Sequence, residues 1–301
     1  MRSAYIKMHL SIFLWGFTGV LGKAIELNEG LLVWYRLMIS SVVILLIMLY
    51  RKSFKKISFR SLIAIIGVGF LVMLHWVTFY GAIKISNVSI TLSCLSSIAL
   101  FTSILEPLFN KAKFDYVEIL FSGLAMAGIF TIYRSDTSAI WGIVVALISS
   151  LFSATFATLN KKLVAHHEPF MITIIELTGG LVILTFLLPF YFHYIPTTKF
   201  IPSSSDWIYL LILSLFCTVL TWILSLSALK RVTAFTAALA LNLEPVYGIT
   251  LAIVLMHEHK MLNTGFYTGT AIILLTVGLH AFYKYSKNKK DENAAGTVLF
   301  D

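Results

Sequence analysis

Apolar residues run through this chain in long stretches separated by short polar links. The stretches show neither the strict alternation of a half-buried strand nor the polar face of a surface helix. A bilayer core of roughly 30 Å takes about 20 apolar residues per helix. In lipid the backbone groups must bond within the segment, so each long run is expected to be helical. The runs predict spans near 5–25, 30–50, 61–83, 86–109, 114–134, 139–163, 169–191, 206–229, 232–256 and 262–284. The expected fold is an all-α integral membrane protein with ten transmembrane helices. The longest link, near 192–205, holds Pro196, Pro202 and three serines, and no link has the length of a soluble domain. The first run, Leu10 to Ile25, follows a basic start as a signal peptide would. No small-residue cleavage site comes after it, so it is expected to remain as a helix.

Composition agrees with the pattern. Of 301 residues, 58% are hydrophobic and 12% charged, and the mean hydropathy is +0.89. A soluble domain carries about 25% charged residues, so lipid must cover most of this surface. The net charge of +9 does not point to nucleic acid, because Lys and Arg cluster in the links. One set of span ends carries seventeen of them, from Arg2 and Lys7 through Arg51, Lys52, Lys111, Lys113, Lys161, Lys162, Lys230 and Arg231 to Lys290. The other set carries four: Lys84, Arg134, Lys199 and Lys260. The positive-inside rule then places both termini in the cytoplasm. Cys94 and Cys217 lie within apolar runs without metal or redox spacing and read as packing residues.

The halves of the chain look related at an offset of 146 residues. Gly81-Ala82-Ile83-Lys84 falls on Ser227-Ala228-Leu229-Lys230, Phe101 on Tyr247, Gly123 on Gly269, and Ala99 on Pro245. Each half holds five spans, an odd number, so the second enters from the opposite side and the halves form an inverted repeat, as in many secondary transporters. The expected units are 1–134, 135–285 and a disordered polar tail, 286–301, whose end from Gly296 to Asp301 reads as an appended remnant.

Ionisable groups at membrane depth are costly and tend to face a cavity or a partner. Glu244 falls at the centre of the ninth expected span, next to Pro245, which has no backbone N–H to donate. A carboxylate beside freed carbonyls suits a cation, a substrate amine or a proton. A static bond between helices is the plainer alternative. Glu176 lies a third of the way into the seventh span, as either a coupling group or a structural hydrogen bond. Arg36 lies similarly deep in the second span from the other side, as either a functional cation or a snorkelling one. Their opposite depths argue against direct pairing. His75, Trp76 and Tyr80 could line a cavity or pack at an interface, with Trp76 and Tyr80 one turn apart on one face. Trp15 stands beside Gly16, which with Gly19 permits close helix approach. Trp222 and Tyr247 are further mid-depth liners. Asn160 is expected to cap the sixth span, and Asn242 to bond a neighbouring helix. Glu106-Pro107 reads as a helix end or gate. His257-Glu258-His259-Lys260 is expected to be a solvated loop and not a metal site, because i and i+2 point to different faces of a helix.

Several local motifs resemble the drug/metabolite transporter superfamily, in particular its EamA-type ten-helix permeases. They are Leu14-Trp15-Gly16-Phe17, Trp34-Tyr35-Arg36-Leu37, the span exits Ala82-Ile83-Lys84 and Ala228-Leu229-Lys230, and Pro245 followed by Glu258, Gly265, Gly269 and Gly278. The first half departs from the pattern: Ile98-Ala99 stands where proline is usual and Lys111-Ala112 where glutamate is usual, which argues against a matched pair of broken helices. The resemblance implies a central cavity lined by spans 1, 3, 4, 6, 8 and 9, with spans 5 and 10 peripheral. It implies transport of amino acids, related metabolites or amphipathic compounds, often outward. The expectation is a secondary transporter in a bacterial inner membrane, with Glu244 as the candidate for proton coupling, and not an enzyme. An uncoupled facilitator or channel is the alternative. Its partners would be a small-molecule substrate, membrane lipid and protons, with no cofactor, as a monomer or homodimer.

Overall fold

The computed structural model describes residues 2–110, 116–229 and 243–297. Among these the regular structure is helical, without strands. In chain order the helices are α1 (Arg2–Ala24), α2 (Glu29–Arg51), α3 (Phe59–Ile85), α4 (Val88–Leu95), α5 (Ile98–Asn110), α6 (Tyr116–Ser135), α7 (Ile140–His166), α8 (Pro169–Tyr194), α9 (Ser204–Ser214), α10 (Thr221–Leu229), α11 (Leu243–Met256) and α12 (Thr264–Thr297). Among the described residues eight stretches are long and apolar enough to cross a membrane; α4 with α5, and α9 with α10, each count as one. The other two expected spans correspond to α6 and to the shorter apolar α11. Lys111, Ala112, Lys113, Lys230, Arg231 and Asn242 lie outside the described residues.

Polar side chains start the helices where the links end. Asn28 accepts from Gly30 N, Ser58 from Ser61 N and Asn87 from Ile90 N, each relieving a backbone donor left free in a first turn. Ser203 and Asp206 form a reciprocal capping box at α9. Lys52 ends α2 in the left-handed conformation, its N–H turned back to the last carbonyls.

Two spans are irregular. The fourth is interrupted at Ser96–Ser97 although no proline stands at the break, a discontinuity that the span predicted over 86–109 did not include. Beside the break, the Cys94 carbonyl accepts from Ser97 N at 3.0 Å and from the Ser150 hydroxyl of α7 at 3.3 Å. A side chain inserted into a carbonyl ladder is a known cause of kinks. The eighth span carries a π-helical stretch, Leu215–Leu220, between α9 and α10. The polar segment after Tyr285 continues α12 as far as Thr297, consistent with the helix preference of its Lys, Glu and Ala residues.

The core forms where small residues let backbones meet. α1 crosses α11 at Gly16 and Gly248: a β-carbon at Gly16 would sit 2.9 Å from Tyr247 Cβ and 3.2 Å from Gly248 N. α3 packs broadly on α7 and α8, and at Gly69 a β-carbon would fall on the Glu176 backbone. α6 and α12 pair with each other, in contact at Gly128 and Gly269. Loss of Gly at such crossings separates the helices, since apolar packing in lipid rests on close approach.

Candidate functional site

Arg36 organises the centre. It belongs to the α2 face formed by Arg36, Ser40, Ile44 and Met48, buried at every fourth position. The side chain does not snorkel: it is 2% exposed and turned inward. Nη1 donates to Tyr80 Oη at 2.7 Å and Nε to Thr218 Oγ1 at 2.8 Å; Nη2 reaches the Cys217 carbonyl at 3.5 Å. The guanidinium carbon lies 3.7 Å from the centre of the Trp76 ring, a cation–π contact strengthened by the absence of water. Trp76 and Tyr80, one turn apart on α3, thus act on the same cation.

The π-helical stretch supplies the rest. Its looser spacing brings the Cys217 carbonyl and Thr218 hydroxyl to Arg36, while Thr218 also donates to the Leu213 carbonyl five residues back at 2.9 Å. Hydroxyls of α1 and α2 take other carbonyls of this span: Ser11 that of Thr221 at 3.2 Å and Ser40 that of Ser214 at 3.4 Å. Thr218 and the Cys217 carbonyl were not among the sequence candidates. A hydroxyl four residues before Trp222 in an apolar run, on the same helix face, was the signal available.

One turn further, Trp222 collects the aromatic residues. Its ring meets Trp15 at 6.3 Å and Trp76 at 5.9 Å, edge to face, and Phe156 at 6.1 Å. Its indole N–H donates to Glu176 Oε2 at 3.2 Å. Glu176 is fully buried, and its Oε1 has no hydrogen-bond partner among the described residues. Asn160 does not cap α7, which runs on to His166. It is buried with its side chain in reach of Glu176, and its Oδ1 has no partner among the described residues. Arg36 and Glu176 form no ion pair.

The other candidates divide. His75 shares its Nδ1 with the Ser149 hydroxyl at 2.8 Å and carbonyl at 3.0 Å, and stacks on Phe79. Glu244 is partly buried in the first turn of α11 and lies within electrostatic reach of Arg36 and Tyr80. Pro245 follows it in that first turn, where a missing N–H is tolerated. Tyr247 packs edge-on against Phe13 at the α1–α11 crossing. Pro107 lies within α5, where Glu106 pairs with Lys161 of α7. Glu258 is not solvated as expected. It is 3% exposed, and its carboxylate accepts from Val88 N and Ser89 N, both at 2.9 Å, closing the first turn of α4. Negative charge at a helix N-terminus is favourable, which explains its burial. At the same end of the bundle Lys199 bridges Glu26 at 2.6 Å and Asp206 at 2.8 Å, and these bonds, that to Asp206 first, hold its amine above the usual lysine range.

Comparison with known proteins gives the lineage. An uncharacterised transporter of Archaeoglobus fulgidus is 22% identical over 286 residues, covering 91% of this chain and 96% of that protein. A solved crystal structure, described only as that of a protein, shares the fold with a TM-score of 0.64 at 12% identity, covering 91% of this chain and 96% of that one. The EamA-like transporter family model matches residues 2–134 and again 140–282. A chain of apolar helices matched over nearly its whole length belongs to the EamA-like transporter family, within the drug/metabolite transporter superfamily.

Proposed function

We propose that this membrane transporter is a secondary carrier of an amino acid or a related small metabolite. It would work by alternating access in a bacterial inner membrane, with ten helices in two inverted repeats and both termini cytoplasmic. The observation that carries the reading is the buried Arg36 guanidinium, laid on Trp76 and bonded to Tyr80, with Glu244 within electrostatic reach. A guanidinium offers planar, two-point recognition of a carboxylate. A carboxylate near it is suited to a substrate amine. The Arg36 cation on Trp76, whose ring joins Trp222, Trp15 and Phe156, together with the Glu244 carboxylate in reach of Arg36, matches a zwitterion with an apolar side chain. A substrate carboxylate would take over the donors that now satisfy Thr218 and Tyr80, and so loosen α2 and α3 from the eighth span. That exchange gives binding a route to the helix movements that alternating access needs.

The test is counterflow of a panel of amino acids into liposomes holding the purified protein, with and without a pH gradient. Saturable counterflow that is stimulated by a proton gradient is the expected result. Ion fluxes at channel-like rates without counterflow would replace the carrier by a pore.

A further inference from the structure

We propose that Glu176 is a proton-binding site whose protonation controls the aromatic cluster through Trp222. The argument begins with hydrogen-bond satisfaction. A carboxylate has acceptor capacity for several donors. Glu176, fully buried, accepts one formed hydrogen bond among the described residues, from the Trp222 indole N–H. Among the described residues its Oε1 has no hydrogen-bond partner and neither has Oδ1 of Asn160, whose side-chain amide lies within hydrogen-bonding reach of the Glu176 carboxylate. Unpartnered acceptor oxygens on two neighbouring buried side chains are what a single proton resolves: bound to Oε1, it turns that atom into a donor, and the Asn160 amide can turn its free oxygen to accept. An unpartnered buried acceptor costs about 1–3 kcal/mol, so an arrangement that lacks donors without the proton is matched once the proton is there.

Among the described residues the surroundings supply no competing cation. α8 packs against α2, α3, α7 and α10. On α2 the charged groups are Glu29, bonded to Tyr191, then Arg36, bonded to Tyr80 and Thr218, and Arg51, placed over Phe170. On α3 they are Arg60, His75, held by Ser149, Tyr80, held by Arg36, and Lys84, bonded to the Leu27 carbonyl. α7 adds Lys161, paired with Glu106, and Lys162, bonded to the Phe109 carbonyl, with His166 at its end. α10 has no titratable side chain. Among the described residues none of these forms an ion pair with Glu176.

The consequence runs through Trp222. Its N–H bonds to Glu176, and its ring meets Trp76, which in turn covers Arg36. Loss of the proton gives the indole N–H a charged acceptor, a bond about twice as strong as the neutral one, and draws the ring toward α8. Protonation releases it. The coupling proton of the proposed carrier then sits on Glu176, which leaves Glu244 to the substrate. This last step rests on the transporter reading, whereas the proton site itself does not.

The test uses full-length protein in liposomes, without substrate. Infrared difference spectra are recorded as the buffer moves from about pH 9 to about pH 5, a window that spans the range reached by buried carboxyls. Wild type should gain the carbonyl stretch of a buried protonated carboxyl, and tryptophan fluorescence should change with the same midpoint. Glu176→Gln should lose both signals, Glu176→Asp should keep the band at a shifted frequency, and Glu244→Gln should keep it unshifted. A band that survives Glu176→Gln, or does not move in Glu176→Asp, overturns the proposal. The same holds for a fluorescence change that persists in Glu176→Gln. Absence of counterflow in wild type would remove the carrier reading and leave this assignment standing.

Discussion

Arg36 and Glu176 are both charged residue types buried within the helices, yet they are treated in opposite ways. Arg36 is surrounded: a phenol, a hydroxyl, a carbonyl and an indole face all serve it. Among the described residues Glu176 has one donor and an oxygen left over. The first arrangement fits a permanent charge, because a guanidinium cannot shed its proton and must be satisfied wherever it is put. The second fits a group that can be neutral. The difference teaches that buried charges of equal depth differ in role according to how completely the interior answers them.

The comparison can be broken most forcefully at Arg36. Arg36→Met leaves Tyr80 Oη, Thr218 and the Cys217 carbonyl without their donor, and truncating one member of a buried charge network costs about 2–5 kcal/mol. The expected outcome is a loss of apparent substrate affinity of ~30-fold or more in counterflow, and Arg36→Lys should not restore it, because an ammonium lacks the planar fork. Trp222→Phe sharpens the contrast from the other side by removing the single donor to Glu176. Thermal unfolding in detergent should report a cost of about 1 kcal/mol if that bond is neutral and about 1.5–3 kcal/mol if it is charged, so a small value favours the protonated carboxyl. Glu176→Gln should cost still less, under ~1 kcal/mol in the same assay, since an amide keeps the acceptor and adds the missing donor. Lys199→Gln should give the smallest shift in Tm. Because its bonds to Asp206 and Glu26 raise the folded-state value of Lys199, its contribution is complete below the ordinary lysine pKa of about 10.5 and fades as pH rises through the higher folded value. A Tm difference between Lys199→Gln and wild type that grew with pH would contradict this.

The membrane class and the all-helical fold were legible in the sequence, because lipid imposes long apolar runs that no other solvent requires. So was the list of polar and aromatic residues at depth. What each touches was not. A helix in lipid is apolar toward the bilayer and apolar toward its neighbours, so the sequence has little amphipathic phase from which to read an inward face. Arg36 could therefore be read as snorkelling, and Asn160 as a cap, when both point inward. Glu258 looked solvated because its neighbours His257, His259 and Lys260 are polar; its partner, the α4 N-terminus, is 170 residues away along the chain. The break at Ser96–Ser97 had no proline to announce it, and the Ser150 hydroxyl that takes the adjacent carbonyl comes from another helix.

The π-helical stretch at Leu215–Leu220 also has a meaning in chain length. Such a stretch fits one surplus residue into a helix while the turns on either side keep their phase. The eighth span is thus a strand of ordinary helix into which an extra link has been spliced beside Arg36. Shortening it by one residue, for example by deleting Phe216, should let the span close into regular helix with Trp222 still aimed at Glu176, while the Cys217 carbonyl and Thr218 lose their reach to Arg36. One surplus residue that leaves the flanking turns in phase thus alters a single recognition point and leaves the scaffold as it was.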